Sequence, residues 1–459
     1  MSIKKTLLAL SIGSISGLAN AEIVSQEFIS TKRAGTSAQA NAKGFIEGQT
    51  LGGSTRTWYS NEMTRRDLRF SYNKDGTQVP TSRAIQAVQG TILTYGSGYT
   101  QGTVGVSTEM ALYNAVALDR SRRDLAGGRF NRTLVDNSGD AVGQWSKLGL
   151  GNIKFRVSNT TLTAGRQNMD TPMVSTIGNR ALPSSFQGLA INSAEFNNLS
   201  FDLATFDRLS PRSEQGLRKF VSEYGSRAVS ADHVHTAGLN YQPLESLSTS
   251  LYATQAQDLW NQYYLGAKHE LGDPQVLGLT TNLNYYKTKN TGKNLLGAID
   301  NNTYSLAFTA THKAHSLTLA YQENSGNEYF DYLNETNGIF LANSLMSDFN
   351  GPNEKSLQVA YGLNMAEYGV PGLKFSLYQA RGWGIDGTHY KGTGYSGLNA
   401  MKGEHHYEYG VGTSYDVQTG PLKNSVVRAT YSAHRASANQ IDGSLNEFRL
   451  VTTIPFTLL

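Results

Sequence analysis

The sequence predicts an all-β chain: a transmembrane antiparallel β-barrel of about 18 strands, with long extracellular loops, some folded into the lumen. Three observations lead there. The chain opens with an export signal, no later stretch is long and apolar enough to span a bilayer as a helix, and apolar residues recur at every second position in many short segments. In hydrocarbon every backbone polar group must be paired within the protein, so only helices and closed barrels can span.

The signal has a basic start at Lys4 and Lys5, an apolar run from Thr6 to Leu18, and small residues at Ala19 and Ala21. This pattern predicts cleavage after Ala21, with residues 1–21 a secretory leader and 22–459 a single barrel domain. The apolar run is too short for a membrane-spanning helix.

Removing Lys4 and Lys5 lowers the formal net charge from +4 to +2, so the balance of charge carries little case for a nucleic-acid partner. The chain has no cysteine. That excludes a disulfide framework, thiolate catalysis and Cys-ligated zinc. Glycine (47) and tyrosine (25) are spread throughout, and no Pro-rich, Ser-rich or charge-run linker divides the chain.

The alternation is clear at three places. Leu277, Leu279, Thr281, Leu283 and Tyr285 alternate with Gly278, Thr280, Asn282, Asn284 and Tyr286. Leu317, Leu319 and Tyr321 alternate with Ser316, Thr318 and Ala320, and Leu357, Val359 and Tyr361 with Ser356, Gln358 and Ala360. Successive side chains of a strand point to opposite faces, so each segment has one apolar face and one polar or small face. A soluble sandwich turns the apolar face inward and a porin turns it to lipid.

Three features favour the membrane solution. Aromatic pairs at Trp58–Tyr59, Trp260 with Tyr263–Tyr264, and Tyr285–Tyr286 suit interfacial girdles. Short links such as Gly272-Asp273-Pro274 and Thr419-Gly420-Pro421 suit periplasmic turns, whereas 118–146, 167–188 and 323–354 suit extracellular or infolded loops. Arginines fall on the polar face of apolar strands: Arg449 between Phe448 and Leu450, Arg428 between Val427 and Ala429, Arg156 between Phe155 and Val157. Facing lipid near the midplane, each would cost about 2–4 kcal/mol. At roughly 24 residues per strand and connection, the 438 residues after the leader make about 18 strands.

A set of ordered segments then carries a family resemblance. They are Ala42–Glu47 (AKGFIE), Gly98–Gly105 (GYTQGTVG), Gln262–Leu265 (QYYL) and Ile339–Ser344 (IFLANS). They continue with Ser347–Pro352 (SDFNGP), Glu354–Ser356 (EKS), Tyr368–Leu373 (YGVPGL) and Asn446–Leu450 (NEFRL). Together the chain resembles the porin D (OprD) family of substrate-specific outer-membrane channels. The resemblance implies an 18-stranded barrel whose long loops fold inward to form a narrow eyelet. It implies passive uptake of small solutes, commonly carboxylates, along a ladder of basic wall residues that faces an acidic or polar loop. Arginine suits a ladder because its planar fork stays charged and matches a carboxylate.

Residue by residue, the resemblance matches Arg428, Arg449 and Arg83 to ladder positions, and Arg156 joins them through its strand alternation. Ser344 and Asp348 match the infolded loop, and Tyr332 and Tyr224 aromatic eyelet positions. Glu62 and Thr413 stand where the pattern usually has a basic residue, which thins the ladder and weakens the case for strong anion selectivity. Each residue also has a plainer role. Inward arginines serve structural networks with Asp or Glu, and Asp348 before Phe-Asn-Gly-Pro sets a turn. Arg120, Arg122, Arg123, Arg129 and Arg132 read as a solvated loop or one touching lipopolysaccharide phosphates.

Rival chemistries have less behind them. Ser230, Asp232, His233 and His235 contain the residue types of a serine hydrolase, but no Gly-x-Ser-x-Gly elbow is present. His405–His406 beside Glu404 looks like a metal cluster, yet adjacent strand residues point to opposite faces, so an exposed loop is the better reading. The sequence therefore predicts no catalytic residues, no metal and no cofactor. Expected partners are small solutes and outer-membrane lipid and lipopolysaccharide, in a monomer or weak trimer. The alternative is a plugged structural or adhesive barrel.

Overall fold

The alternating segments become strands, and the strands pair in sequence order until the chain meets itself. The computed structural model describes residues 37–65, 68–74, 77–118, 134 and 142–459. The leader and the arginine-rich stretch 120–132 lie outside them. The strands run β1 (Thr50–Thr64), β2 (Phe70–Lys74), β3 (Thr77–Thr81), β4 (Arg83–Gly96), β5 (Val104–Ala117), β6 (Gln144–Val157) and β7 (Thr160–Gln167). They continue with β8 (Ser185–Phe196), β9 (Leu199–Ser210), β10 (Val234–Leu244), β11 (Leu247–Ala256), β12 (Trp260–Asp273), β13 (Leu277–Asn290) and β14 (Asp300–His312). The last are β15 (His315–Ser325), β16 (Lys355–Asn364), β17 (Leu373–Asp386), β18 (Lys402–Asp416), β19 (Val426–Ala436) and β20 (Leu445–Thr457).

β1 and β4–β20 form one 18-stranded antiparallel sheet. β1 pairs with β4 on one side and with β20 on the other, so the sheet closes on itself. Closure leaves no exposed strand edge, which is the condition for a sheet in hydrocarbon. β2 and β3 are a separate hairpin in the link between β1 and β4. Among the described residues no helix is long and apolar enough to cross a membrane.

Links alternate in length, as the sequence suggests. The links 158–159, 197–198 and 313–314 have two residues each, with positive φ at Ser158 (51°), Asn198 (60°) and Lys313 (52°). Two-residue hairpins use this left-handed geometry because it matches strand twist. At the opposite end lie the long links, among them 168–184, 211–233 and 326–354.

The inside–outside sense is that of a membrane barrel. Along β15, Leu317 and Leu319 are 55 % and 49 % exposed, while Thr318 and Ala320 between them are 2 % and 0 % exposed. The same inversion places Asn282, Asn284, Gln322 and Gln358 inside.

The aromatic pairs divide between the two faces rather than forming girdles as units. Tyr263 is exposed, but Trp58, Trp260, Tyr264 and Tyr286 are buried. Adjacent strand residues diverge, so one member of each pair turns inward. There Tyr264 and Tyr286 pack with Met173, Phe330, Phe340 and Leu341 from the infolded links.

Candidate solute channel

The inward polar residues of the wall hold the long loops by their backbones. Gln262 Nε2 donates to the Asp331 carbonyl, and Gln322 Nε2 to those of Asp348 and Phe349. Asn324 Nδ2 donates to the carbonyls of Glu328, Asn350 and Gly351. From the other side, Glu408 of β18 accepts the backbone N–H groups of Met346 and Ser347 at 3.0 and 2.9 Å. A loop buried in a barrel has no water to satisfy its backbone, so these amide side chains are what permit it to fold inward.

The loops also lock to one another. Arg212 of link 211–233 donates from Nε and its own backbone N–H to Glu335 Oε2, at 2.9 and 2.8 Å, and from Nη2 to Oε1 at 2.9 Å. Arg180 of link 168–184 reaches Oε1 at 3.4 Å. Burial alone pushes the Glu335 carboxyl up, but the Arg212 and Arg180 guanidiniums outweigh it and hold the carboxyl well below the usual range. Asp331 accepts from the Ser222 hydroxyl and from the backbone N–H groups of Glu223, Tyr224 and Tyr332. Its burial raises its pKa to about 6 against those bonds.

All four eyelet residues matched from the sequence meet at one carboxylate. Tyr224 and Tyr332 donate their hydroxyls to Asp348 Oδ2 at 2.5 and 2.9 Å, and Ser344 Oγ donates to Oδ1 at 2.6 Å. Tyr224 stacks on Tyr329 with ring centroids 4.8 Å apart. Burial pushes the Asp348 carboxyl above its ordinary range, opposed by these hydrogen bonds.

The predicted basic residues are dispersed. Arg449 points inward, but its Nε and Nη2 fork onto Glu447, two residues earlier on the same face, at 3.1 and 2.7 Å. Ser60 Oγ also donates to that carboxylate at 2.8 Å. Arg428 points inward near the short-link end and lines a cavity of about 250 Å³ on the inner face of β15–β19. Lys374, Ser316, Ser376 and Thr430 share that lining, and Lys374 Nζ lies 3.9 Å from Asp416 Oδ2. Arg156 also lies at the short-link end, stacked 3.6 Å from the Tyr99 ring centroid and donating to Gln39 Oε1 at 3.0 Å.

Two placements correct the sequence reading. Arg83 pairs with exposed Met63 and donates to Asn61, so it lies on the outer face at the long-link end and not in the lumen. Thr413 pairs with exposed Phe375, so its side chain also faces outward and takes no basic residue's place in the lumen. In both cases a slip of one residue moves the side chain across the wall. Glu62 does face inward and is buried. His405–His406 lie within β18, not in a loop, and His406 is buried.

Sequence reasoning missed Arg56. On β1 it donates from Nη1 to the carbonyls of Gly178 and Arg180 and from Nε to Thr453, tying link 168–184 to the wall. Its neighbours Thr55 and Thr57 are polar, so no apolar alternation marks it. Arg56 and Arg428 lie near enough for their charges to interact.

A closed wall with an apolar exterior, and a polar interior narrowed by infolded loops, defines a membrane pore of the porin class. The chain belongs to the OprD family of outer membrane porins, whose family model matches residues 43–458. It is therefore an outer-membrane β-barrel. It is 36% identical over 438 residues to Porin D of Pseudomonas aeruginosa, covering 92% of this chain and 94% of that one. The crystal structure of Pseudomonas aeruginosa OccD3 (OpdP) superposes with a TM-score of 0.83 at 44% identity, covering 96% of this chain and 100% of that one. Pseudomonas aeruginosa OpdK, solved with vanillate, matches at a TM-score of 0.78 and 25% identity over 90% of this chain and 100% of that one.

Proposed function

We propose that this porin is a passive, substrate-selective channel for small carboxylate-bearing solutes such as amino acids, aromatic acids or small peptides. The observation that carries the reading is the cavity whose lining includes Arg428 and Lys374. An anion leaving the constriction meets two basic side chains there. The Asp348 cluster is the complementary part: a carboxylate among phenolic hydroxyls takes a cationic or hydroxyl group of the same solute. Charged walls of opposite sense favour entry, and each site must hold weakly enough to release. The vanillate bound to OpdK is an aromatic acid of this general class. The protein acts as a non-enzymatic monomer, exported with its leader cleaved after Ala21.

The test is single-channel conductance and reversal potential of the mature protein in a planar bilayer, with a panel of carboxylates and their neutral isosteres. Small, steady openings blocked selectively by one carboxylate support the reading. A folded but silent barrel would favour a plugged structural role and sink it.

A further inference from the structure

The long-link end of the inner wall holds a cluster that solute passage does not explain. His406 of β18 and His434 of β19 are 1 % and 0 % exposed. His406 Nε2 is hydrogen-bonded to the Glu354 carboxylate. His434 Nδ1 contacts the Gly443 carbonyl oxygen at 2.6 Å. Between the rings, His406 Nδ1 and His434 Nε2 stand 2.6 Å apart.

The proton count of this chain is decisive. A neutral imidazole carries one N–H and one lone pair. A carbonyl oxygen is only an acceptor, so His434 Nδ1 must carry its proton. An ionised Glu354 likewise accepts, so His406 Nε2 must carry its own. That leaves two lone pairs, on His406 Nδ1 and His434 Nε2, aimed at one another in a buried place. Such an arrangement needs an electrophile between the nitrogens. A carboxylate stands beside them: one nitrogen of each ring and one Asp442 oxygen all lie within 4.8 Å of one another.

We propose that His406, His434 and Asp442 form a binding site for a divalent transition-metal ion. Two imidazoles and one carboxylate suit zinc, with a fourth position left for water. The outer partners are those a metal site requires. Glu354 on His406 and the Gly443 carbonyl on His434 fix each tautomer and turn the remaining lone pair toward the ion. Gly382 leaves room for this layer, since a Cβ there would lie 2.0 Å from Glu354 Oε1 and 2.5 Å from His406 Nε2. The two nitrogens would move apart by less than an ångström or so to take a tetrahedral ion at ordinary bond lengths.

The site touches the constriction loop directly. Ser347 Oγ donates to Asp442 Oδ2 at 2.6 Å, and the Phe349 ring stacks on His406 with centroids 4.2 Å apart. These two residues are separated in sequence only by Asp348. An ion held here would therefore steady the loop that presents the Asp348 carboxylate.

The experiment is a titration of EDTA-treated, folded mature protein with Zn²⁺ by calorimetry and with Co²⁺ by visible absorption, which reports tetrahedral coordination. One ion per chain is expected. His434→Gln and Asp442→Asn, each shown to be folded by heat-modifiable gel mobility, should lose most of that affinity, and Glu354→Gln should lose about 10–100-fold. A double variant of the exposed pair, His233→Ala with His235→Ala, should bind as wild type. Wild-type protein that takes up neither ion would overturn the proposal in favour of a proton shared between the rings. So would His434→Gln and Asp442→Asn variants that bind as tightly as wild type.

Discussion

Arg212 and Glu335, 123 residues apart, form a buried ion pair in which the guanidinium spans both carboxylate oxygens. The pair joins links 211–233 and 326–354, and Arg180 brings in a third link, 168–184. Breaking one partner of a buried pair leaves an uncompensated charge, at about 3–5 kcal/mol. Arg212→Ala should therefore loosen the loops while the wall stays closed. The expected result is larger open-channel noise and faster loop proteolysis, with heat-modifiable mobility unchanged. Quiet, wild-type-like openings would count against the lock.

The same pair sets one pH dependence and Asp331 sets the opposite one. Glu335 has a depressed pKa in the fold, so its stabilisation is present above its unfolded value and lost only as pH falls through the lower folded one. Asp331 has a folded pKa raised to about 6, so its contribution is full below its unfolded value of about 3.9 and is lost as pH rises through about 6. Of these two carboxyls, Asp331 gains a proton between pH 7.5 and 5 and Glu335 does not. Protection factors, which divide out the intrinsic base-catalysed exchange rate, should rise over that interval at Glu223, Tyr224 and Tyr332, whose N–H groups Asp331 accepts, and Asp331→Asn should abolish that rise.

Asp348→Asn keeps an oxygen to accept from Tyr224 and Tyr332 but removes the charge. A hydrogen bond to a charged group contributes about 1.5–3 kcal/mol, so a solute that places a cation here should lose roughly tenfold of its advantage over a neutral isostere. Competition for channel block by matched cationic and neutral solutes measures this. An unchanged ratio would remove Asp348 from recognition and leave it a turn residue.

Arg428→Ala and Arg449→Ala should both lower anion flux without unfolding the barrel, by different routes. Arg428→Ala takes a positive charge directly from the cavity lining. Arg449→Ala exposes the charge of Glu447, which the arginine now covers. Arg449→Gln with Glu447→Gln should therefore restore most of what Arg449→Ala loses. Reversal potentials under a salt gradient separate the two.

On the outer wall, Leu319→Arg should destabilise the barrel by about 2–4 kcal/mol if it sits near the bilayer midplane. Thr318→Arg instead turns its charge into the lumen, where it should change conductance. Tm in detergent and single-channel current read the two effects separately.

The sequence by itself determined the wall. Period-two alternation is a local property, because residues i and i+2 share a face whatever the rest of the chain does. That is why Leu317, Leu319, Arg428, Arg449 and Arg156 face as their neighbours imply. Arg83 opens a strand, where alternation has not yet set in, and it faces outward; Thr413 shares the parity of exposed Tyr409, Val411 and Tyr415, so the local pattern already places it outside. Arg56, between two threonines, gave no local signal at all. Only the tertiary structure decided the contents of the lumen. Tyr224 reaches Asp348 across 124 residues and His406 reaches His434 across 28. These meetings depend on closure of the sheet and on which loops fold inward. Both are set by long-range pairing of buried polar groups, and no short stretch of sequence contains both partners.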